Sequence, residues 1–313
     1  MKPWSWLLPG LLLPALALAH GGVDAAKRSV EASMLVTGEI AVNPDGSVYG
    51  YSLDQRDKLP PVVVKLIGQT LPRWKFTPVM VDGKAMLAKA TMSLRVVAKQ
   101  LDGKHDAISV ESAAFGIETA QAHTPSACAD GACLTYLARR PPDYPRDLVE
   151  ELVSGTVYLA VEVNRQGKVA QAAVERVNLR RLADETMLTR WRRELGRVTM
   201  KAARTWTFQP PRSGPEAGKD HWVVTIPVNF SIGAPGTRQS IGAPGYGQWD
   251  AYVPGPAHSI PWEVAGNGRG VSKGGFDAVP DSGAPFVADT RFVLLTPLGG
   301  DGKPKSGAVP GVG

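Results

Sequence analysis

The residues of this chain that could do chemistry begin with its two cysteines, Cys128 and Cys133. A short segment with one glycine separates them, which is typical of a local disulfide in an oxidising compartment. A metal site would need more ligands, since the five histidines lie elsewhere. A redox-active pair is the remaining alternative. We predict a disulfide between Cys128 and Cys133 that stabilises by less than the roughly 3 kcal/mol expected of a 15-residue loop.

His20 is the second candidate, because it follows Ala17-Leu18-Ala19, a small-x-small cleavage site for a secretory signal. Cleavage there would make His20 N-terminal, and an N-terminal histidine can chelate copper through its amine and imidazole. No second histidine is marked as its partner, so a copper enzyme is a remote alternative. The sequence holds no nucleophile-elbow, zinc-protease or P-loop motif. We therefore expect no enzymatic activity, no cofactor and no metal.

The densest charge cluster is basic and lies between residues 176 and 204. A solvated helix face is one interpretation, and attraction to anionic lipid head groups or cell-wall polymer is the other. The whole chain has 35 basic and 29 acidic residues, a net charge of +6. This mild excess does not predict nucleic-acid binding. The cluster comprises Arg176, Arg180, Arg181, Arg190, Arg192, Arg193, Arg197, Lys201 and Arg204.

The N-terminal segment predicts export. Residues 1–19 contain Lys2 and then an apolar run that Pro9 and Pro14 interrupt. The run is shorter than the roughly 20 residues of a membrane-spanning helix, which favours a cleaved signal peptide over a retained anchor. We expect a periplasmic protein of a Gram-negative envelope.

The elements behind these candidates form an internal repeat. Residues 33–98 predict a strand, a turn at Asn43-Pro-Asp-Gly46, a second strand, and a helix after Pro60-Pro61. A strand from Trp74 and a last strand from Thr91 complete this unit. The pattern is that of a small α+β layer pair with an antiparallel sheet and a helix on one face.

Residues 142–232 repeat this order. An alternating strand from Gly155 leads to a turn at Asn164-Arg-Gln-Gly167, a second strand, and a longer helix within residues 182–204. Trp206-Thr-Phe-Gln-Pro210 then restates Trp74-Lys-Phe-Thr-Pro78, and the unit closes with a strand that ends at Phe230. Two repeats of strand-turn-strand-helix-strand-strand are therefore predicted.

The remaining regions have different compositions. Residues 99–141 are polar and irregular, and we assign them to a linker that carries the cysteine pair. Residues 233–313 contain 18 Gly and 10 Pro, above the proportion of about 25–30% that is typical of low-complexity sequence. We expect a largely disordered tail, in which Phe286-Val287 and residues 291–295 are the segments capable of strand pairing. One of them could dock on a domain.

The second unit resembles the C-terminal domain of the TonB energy-transducer family. The resemblance implies a periplasmic α+β domain that binds an extended peptide by strand addition, which in that family is the TonB box of an outer-membrane receptor. Tyr144 and Pro145 would lie close to that peptide. The first unit resembles a degenerate copy without the Tyr-Pro pair. The matching features are Pro142-Asp-Tyr-Pro145, Gly155-x-Val-x-Leu-x-Val-x-Val163, Gly167-Lys-Val169, Ala203-Arg-Thr-Trp-Thr-Phe-Gln-Pro-Pro211 and Val223 to Phe230.

Two departures from that family shape the prediction. Its transducers keep a transmembrane anchor and a proline-rich spacer ahead of the domain, whereas here the N-terminus is predicted to be cleaved and the Gly/Pro-rich segment follows the domain. We therefore expect a TonB-like binding protein for an envelope partner rather than an energy transducer. The alternative is an envelope structural protein that associates with itself, because paired edge strands also build homodimers.

Overall fold

The computed structural model describes residues 31–102, 105–119, 131–214, 216–233, 240–241, 245–260, 262, 275–298 and 309–310. It has an α+β fold with a large antiparallel sheet and few helices. Within the described ranges, no helix is long and apolar enough to cross a membrane.

The elements are named in chain order. The helices are α1 (Pro61–Thr70), α2 (Arg146–Glu150) and α3 (Glu185–Ala203). The strands are β1 (Glu31–Val42), β2 (Val48–Leu53), β3 (Met80–Val81), β4 (Lys84–Ala85), β5 (Ala88–Asp102), β6 (His105–Glu118), β7 (Thr135–Ala138), β8 (Gly155–Asn164), β9 (Val169–Leu179), β10 (Thr207–Gln209), β11 (His221–Phe230), β12 (Ile232–Gly233), β13 (Ser240–Ile241), β14 (Asp250–Tyr252), β15 (Phe286–Ala288) and β16 (Val309–Pro310).

The first unit is built on the hairpin of β1 and β2, with β5 and then β6 added beside β1. Helix α1 begins at Pro61, where proline is tolerated because the first helical amides have no partner within the helix. Its buried residues Val63 and Ile67 pack into the first core with Trp74 and Phe76. The predicted helix and turn of this unit are confirmed. The strand predicted from Trp74 is wrong, because Lys75 and Phe76 form only single bridges, to Ser47 and to Leu294 of the tail.

Strand β6 extends the first unit into the region assigned to a linker. Residues 105–115 pair with β5 in antiparallel register. The sequence has little apolar alternation here because the buried Ser112 and the partly buried Ser109 and Glu111 lie among the apolar residues. The partner of Ser112, Asp277, comes from the distant tail, so the local pattern does not indicate a core strand.

The second unit repeats this order with β8, β9 and β11, and helix α3 packs on β8 and β9. The helix starts where the Asp184 carboxylate accepts a hydrogen bond from the amide of Met187 at 3.0 Å. Its apolar stripe includes Leu188, Trp191 and Leu195, all buried. At 19 residues against 10, α3 contains most of the extra length of the second repeat.

The two repeats share the same irregularity in their hairpins. In the first, the pairing of β1 with β2 shifts by one residue, so that Tyr49 has no opposite residue. In the second, the pairing of β8 with β9 shifts in the same way at Ala170. Each of these residues lies three positions after the turn glycine, Gly46 or Gly167. The internal repeat is therefore present in backbone detail as well as in sequence.

The tail joins the two units into one ten-stranded sheet. Strand β15 pairs with β6 of the first unit and, at Phe286 and Thr225, with β11 of the second. The path runs β14-β1-β5-β6-β15-β11-β8-β9, with β2 and β16 beside it. Val253, directly after β14, pairs with Leu179 at the end of β9. The sequence predicts one docked segment in residues 233–313, whereas three strands of this tail, β14, β15 and β16, join the sheet.

Candidate functional site

Tyr144 lies two residues before helix α2 and is anchored to the second unit. Its ring meets that of Phe230 edge-on, with the centroids 5.2 Å apart. Its hydroxyl donates a hydrogen bond to the backbone carbonyl oxygen of Val153. Burial raises the pKa of Tyr144 to about 12, so the hydroxyl remains a donor at neutral pH. These two contacts of the Tyr144 side chain therefore stabilise the fold of the second unit.

Pro145 and Tyr144 line one wall of a surface groove of about 420 Å³. Helix α3 forms the facing wall with Arg197 and Lys201, and the segment before the tyrosine adds Arg140. The two predicted contact residues thus line a groove beside helix α3. Arg140 pairs with Asp143, which also lines the groove, and Arg197 pairs with Glu194, so the lining is only mildly basic.

The second unit leaves part of an outer strand edge open. Strand β9 pairs with β8 on one side. Its other edge is met at Lys168 by β10 and at residues 175–179 by tail residues 253–258. Between them lie residues 169–174, here called the second window, which have no strand partner on that edge among the described residues.

The first unit has the equivalent opening. Ser47 pairs with Lys75, and residues 48–53 of β2, the first window, pair with β1 alone within the described ranges. Tyr49 and Tyr51 of this window are exposed. The two windows read Val-Tyr-Gly-Tyr-Ser-Leu and Val-Ala-Gln-Ala-Ala-Val, so neither has a charged residue. Folded proteins commonly block open edges with charge or proline, and unblocked edges are templates for another strand.

Comparison with family models, curated proteins and solved structures finds no match to this chain.

The predicted redox and metal candidates lie mostly outside the described residues. This holds for Cys128, for His20 and for the whole of residues 1–19. Cys133 is buried and is not a free thiol, while its pairing with Cys128 stays a prediction. Among the described residues, no group of three or more His, Cys, Asp or Glu side chains could hold a metal ion.

The basic cluster divides between the surface and the interior. Arg193 and Arg197 form exposed ion pairs with Glu194 on α3, which fits a solvated helix face. Arg176 and Arg180 instead point inward and pair with aspartates of the tail. The nine residues therefore do not form one surface for an anionic polymer.

Sequence reasoning missed the two windows as candidate sites. The signal was available, since each is a six-residue run without charge that follows a turn glycine by two positions. What the sequence does not show is which edge of each strand stays open. That depends on where β10 and the tail lie.

Proposed function

We propose that this protein is a non-enzymatic, TonB-like binding module of the periplasm that takes up an extended segment of an envelope partner by strand addition. The observation that carries the proposal is the pair of uncharged edge windows at equivalent positions of the two repeats. An unpaired strand edge offers backbone N–H and C=O groups in a fixed row, and an extended peptide satisfies them.

Strand addition already occurs within this chain. Leu294 of the tail pairs with Phe76 beside the first core. Strand β7, which precedes the second unit, pairs in the same way with β10 around Phe208. In both cases an aromatic residue of the added segment joins the core: Phe292 in the first unit and Tyr136 in the second. Repeats that accept extended segments from elsewhere in the chain are suited to accept one from a partner.

The second window is the primary binding edge in this proposal, because the resemblance to the TonB family is clearest in its unit. The groove lined by Tyr144 and Pro145 then receives flanking residues of the same partner. An outer-membrane receptor of the TonB-dependent class is the partner that the resemblance implies. The groove's Arg197 and Lys201 would contact acidic residues of that segment.

Site-specific photo-crosslinking in living cells tests the proposal. A photoreactive residue replaces Ala170, which is exposed in the second window, or Tyr144 in the groove. The matched control position is Gln166, exposed in the turn before β9. We expect an adduct from position 170, with the captured peptide mapped by mass spectrometry to one extended segment, and none from position 166.

Charged substitutions distinguish strand addition from nonspecific binding. Lys at both Ala170 and Gln171 should abolish the adduct and the partner-induced protection of window amides from hydrogen exchange, because charge on an edge opposes pairing. Gln166→Lys should change neither. Capture that survives the double substitution would contradict strand addition at this window.

Self-association is the competing function, since an uncharged edge also pairs with its own copy. Light scattering over a range of concentrations distinguishes the two. A dimer that the Ala170→Lys, Gln171→Lys variant dissociates would assign the window to assembly. A protein that stays monomeric at all concentrations would leave the window free to bind a partner.

A further inference from the structure

A buried polar cleft lies between the two units, and strands of both form it. Arg95 on β5 and Ser112 on β6 come from the first unit. Arg176 and Asn178 on β9 come from the second. All four side chains donate hydrogen bonds to one residue of the tail, Asp277. Asp277 is 2% exposed and Arg95 is 5% exposed, so the contact is shielded from water.

The cleft contacts both the carboxylate and the main chain of Asp277. Its carboxylate accepts from Ser112 Oγ at 2.8 Å, from Arg176 at 2.8 Å and from Asn178 Nδ2 at 3.4 Å. Its backbone carbonyl accepts from Nε of Arg95 at 2.5 Å. Recognition of a side chain together with its own backbone is what a peptide-binding site requires.

A second tail aspartate, four residues later, is held in the same way. The carboxylate of Asp281 accepts from the Tyr158 hydroxyl at 2.9 Å and from Arg180 at 3.3 Å. Its backbone carbonyl accepts from Nδ2 of Asn229 at 2.6 Å. The cleft therefore contacts two aspartates at a spacing of four residues, each through both side chain and main chain.

The apolar contacts continue along the same tail segment. Ala278 and Val279 are buried between the aspartates. Phe286 packs with them and with Ala114 of β6, and β15 adds its edge to β6 and β11. The tail thus occupies the cleft as a bound peptide would, with charged, apolar and strand-pairing contacts in one stretch.

The charge of the cleft explains why its occupant is acidic. The two units place the buried guanidinium group of Arg95 and the partly buried one of Arg176 around Asp277, and burial of a cation is unfavourable unless a carboxylate neutralises it. Nε of Arg176 is buried and has no hydrogen-bond partner among the described residues, so a donor remains beside Asp277. The repeats themselves supply a carboxylate-binding site, and the tail supplies the carboxylate.

We propose that this cleft is a second peptide site of the protein and that tail residues 275–288 occupy it as a tethered ligand. The ligand class is a peptide with two aspartates four residues apart and small apolar residues between them, which forms a 3-10 turn at the first aspartate and a strand at its end. A partner that presents this chemistry competes with the tail for the cleft. The site is separate from both edge windows and does not depend on strand addition there.

Fluorescence anisotropy with the full chain and a labelled peptide of residues 275–288 tests this proposal. In the variant Asp277→Asn, Asp281→Asn the tail is a weaker ligand for the cleft. The labelled wild-type peptide should therefore bind this variant at least tenfold more tightly than it binds the unaltered protein. A peptide carrying the same two substitutions should bind neither. Asp289→Asn is the matched control, because that carboxylate pairs with Arg291 of the tail itself, and it should behave as the unaltered protein.

The competing view is that the aspartates serve only the fold. A folded double variant that fails to bind the wild-type peptide, or binds both peptides equally, would establish that view. Circular dichroism verifies folding first. If the double variant does not fold, the single variant Asp281→Asn is used with the same two peptides and the same deciding outcomes, because Asp281 is the more exposed of the two.

Discussion

The amide of Phe208 donates a hydrogen bond to the carbonyl oxygen of Gly167 at 2.7 Å, and a methyl group on Gly167 would lie 1.9 Å from the carbonyl oxygen of Phe208. Gly46 and Phe76 repeat this relationship, at 2.8 Å and 2.1 Å. Each hairpin turn is thus fixed to the segment that carries the buried aromatic residues of its unit. The contact leaves no room for a side chain.

Alanine at either turn glycine should destabilise the fold strongly. Both glycines have positive φ, +79° at Gly46 and +72° at Gly167, and the new methyl group would also clash with backbone. We expect a loss of at least about 3 kcal/mol in the free energy of unfolding, measured by denaturant titration. Gly83 is the control, since it has φ of +76° but nothing within 4 Å. Its substitution should cost only about 1–2 kcal/mol, and equal losses at Gly83 and Gly167 would refute the role of the close contact.

Helix α3 should depend on its N-terminal cap. Asp184→Ala removes the acceptor for the amide of Met187, and we expect a loss of about 1 kcal/mol in thermal or chemical unfolding. Asp184→Asn keeps a side-chain oxygen and should lose little. If the alanine and asparagine variants lose the same stability, the hydrogen bond does not stabilise the helix.

Tyr144→Phe should lower stability by about 1 kcal/mol, because it leaves the carbonyl of Val153 without this donor. Burial raises the pKa of Tyr144 from 10.0 to about 12. The folded state therefore favours the protonated hydroxyl, and this contribution is complete below pH 10 and is lost as the pH rises towards 12. The difference between the two proteins should shrink over that range in unfolding titrations. A difference that stays constant up to pH 12 would contradict this assignment.

Glu118 should oppose folding at neutral pH. Burial, and then the nearby charge of Asp281, raise the pKa of Glu118, although a hydrogen bond from Ser282 acts in the other direction. Because the folded pKa lies above the ordinary value of 4.5, folding becomes less favourable as the pH rises through this interval. Glu118→Gln should thus be more stable than the unaltered protein at pH 7. The two should converge below about pH 4.5, as followed by denaturant midpoints, and a less stable variant at pH 7 would show that the hydrogen bond outweighs burial.

Local features of the sequence were enough to predict the repeat. Turn glycines, strand alternation and the apolar stripe of α3 are patterns over a few residues. They can therefore be recognised without knowledge of the rest of the chain. The α+β class, both main helices and the strand after Trp206 followed from these patterns. The strand predicted from Trp74 did not, because its pairing is limited to single bridges at Lys75 and Phe76.

The tertiary structure decided what joins the repeats. Ser112 and Asp277 are 165 residues apart in the chain, and nothing local marks either as a buried partner of the other. Strand β6 is therefore not evident in the sequence, because its buried Ser112 finds its partner Asp277 only when the tail is in place. The same holds for Arg176 and Arg180, which belong to a basic run in sequence but turn inward in the fold. Short-range patterns determine the elements, whereas the pairing of distant charges and strand edges determines which surfaces stay open.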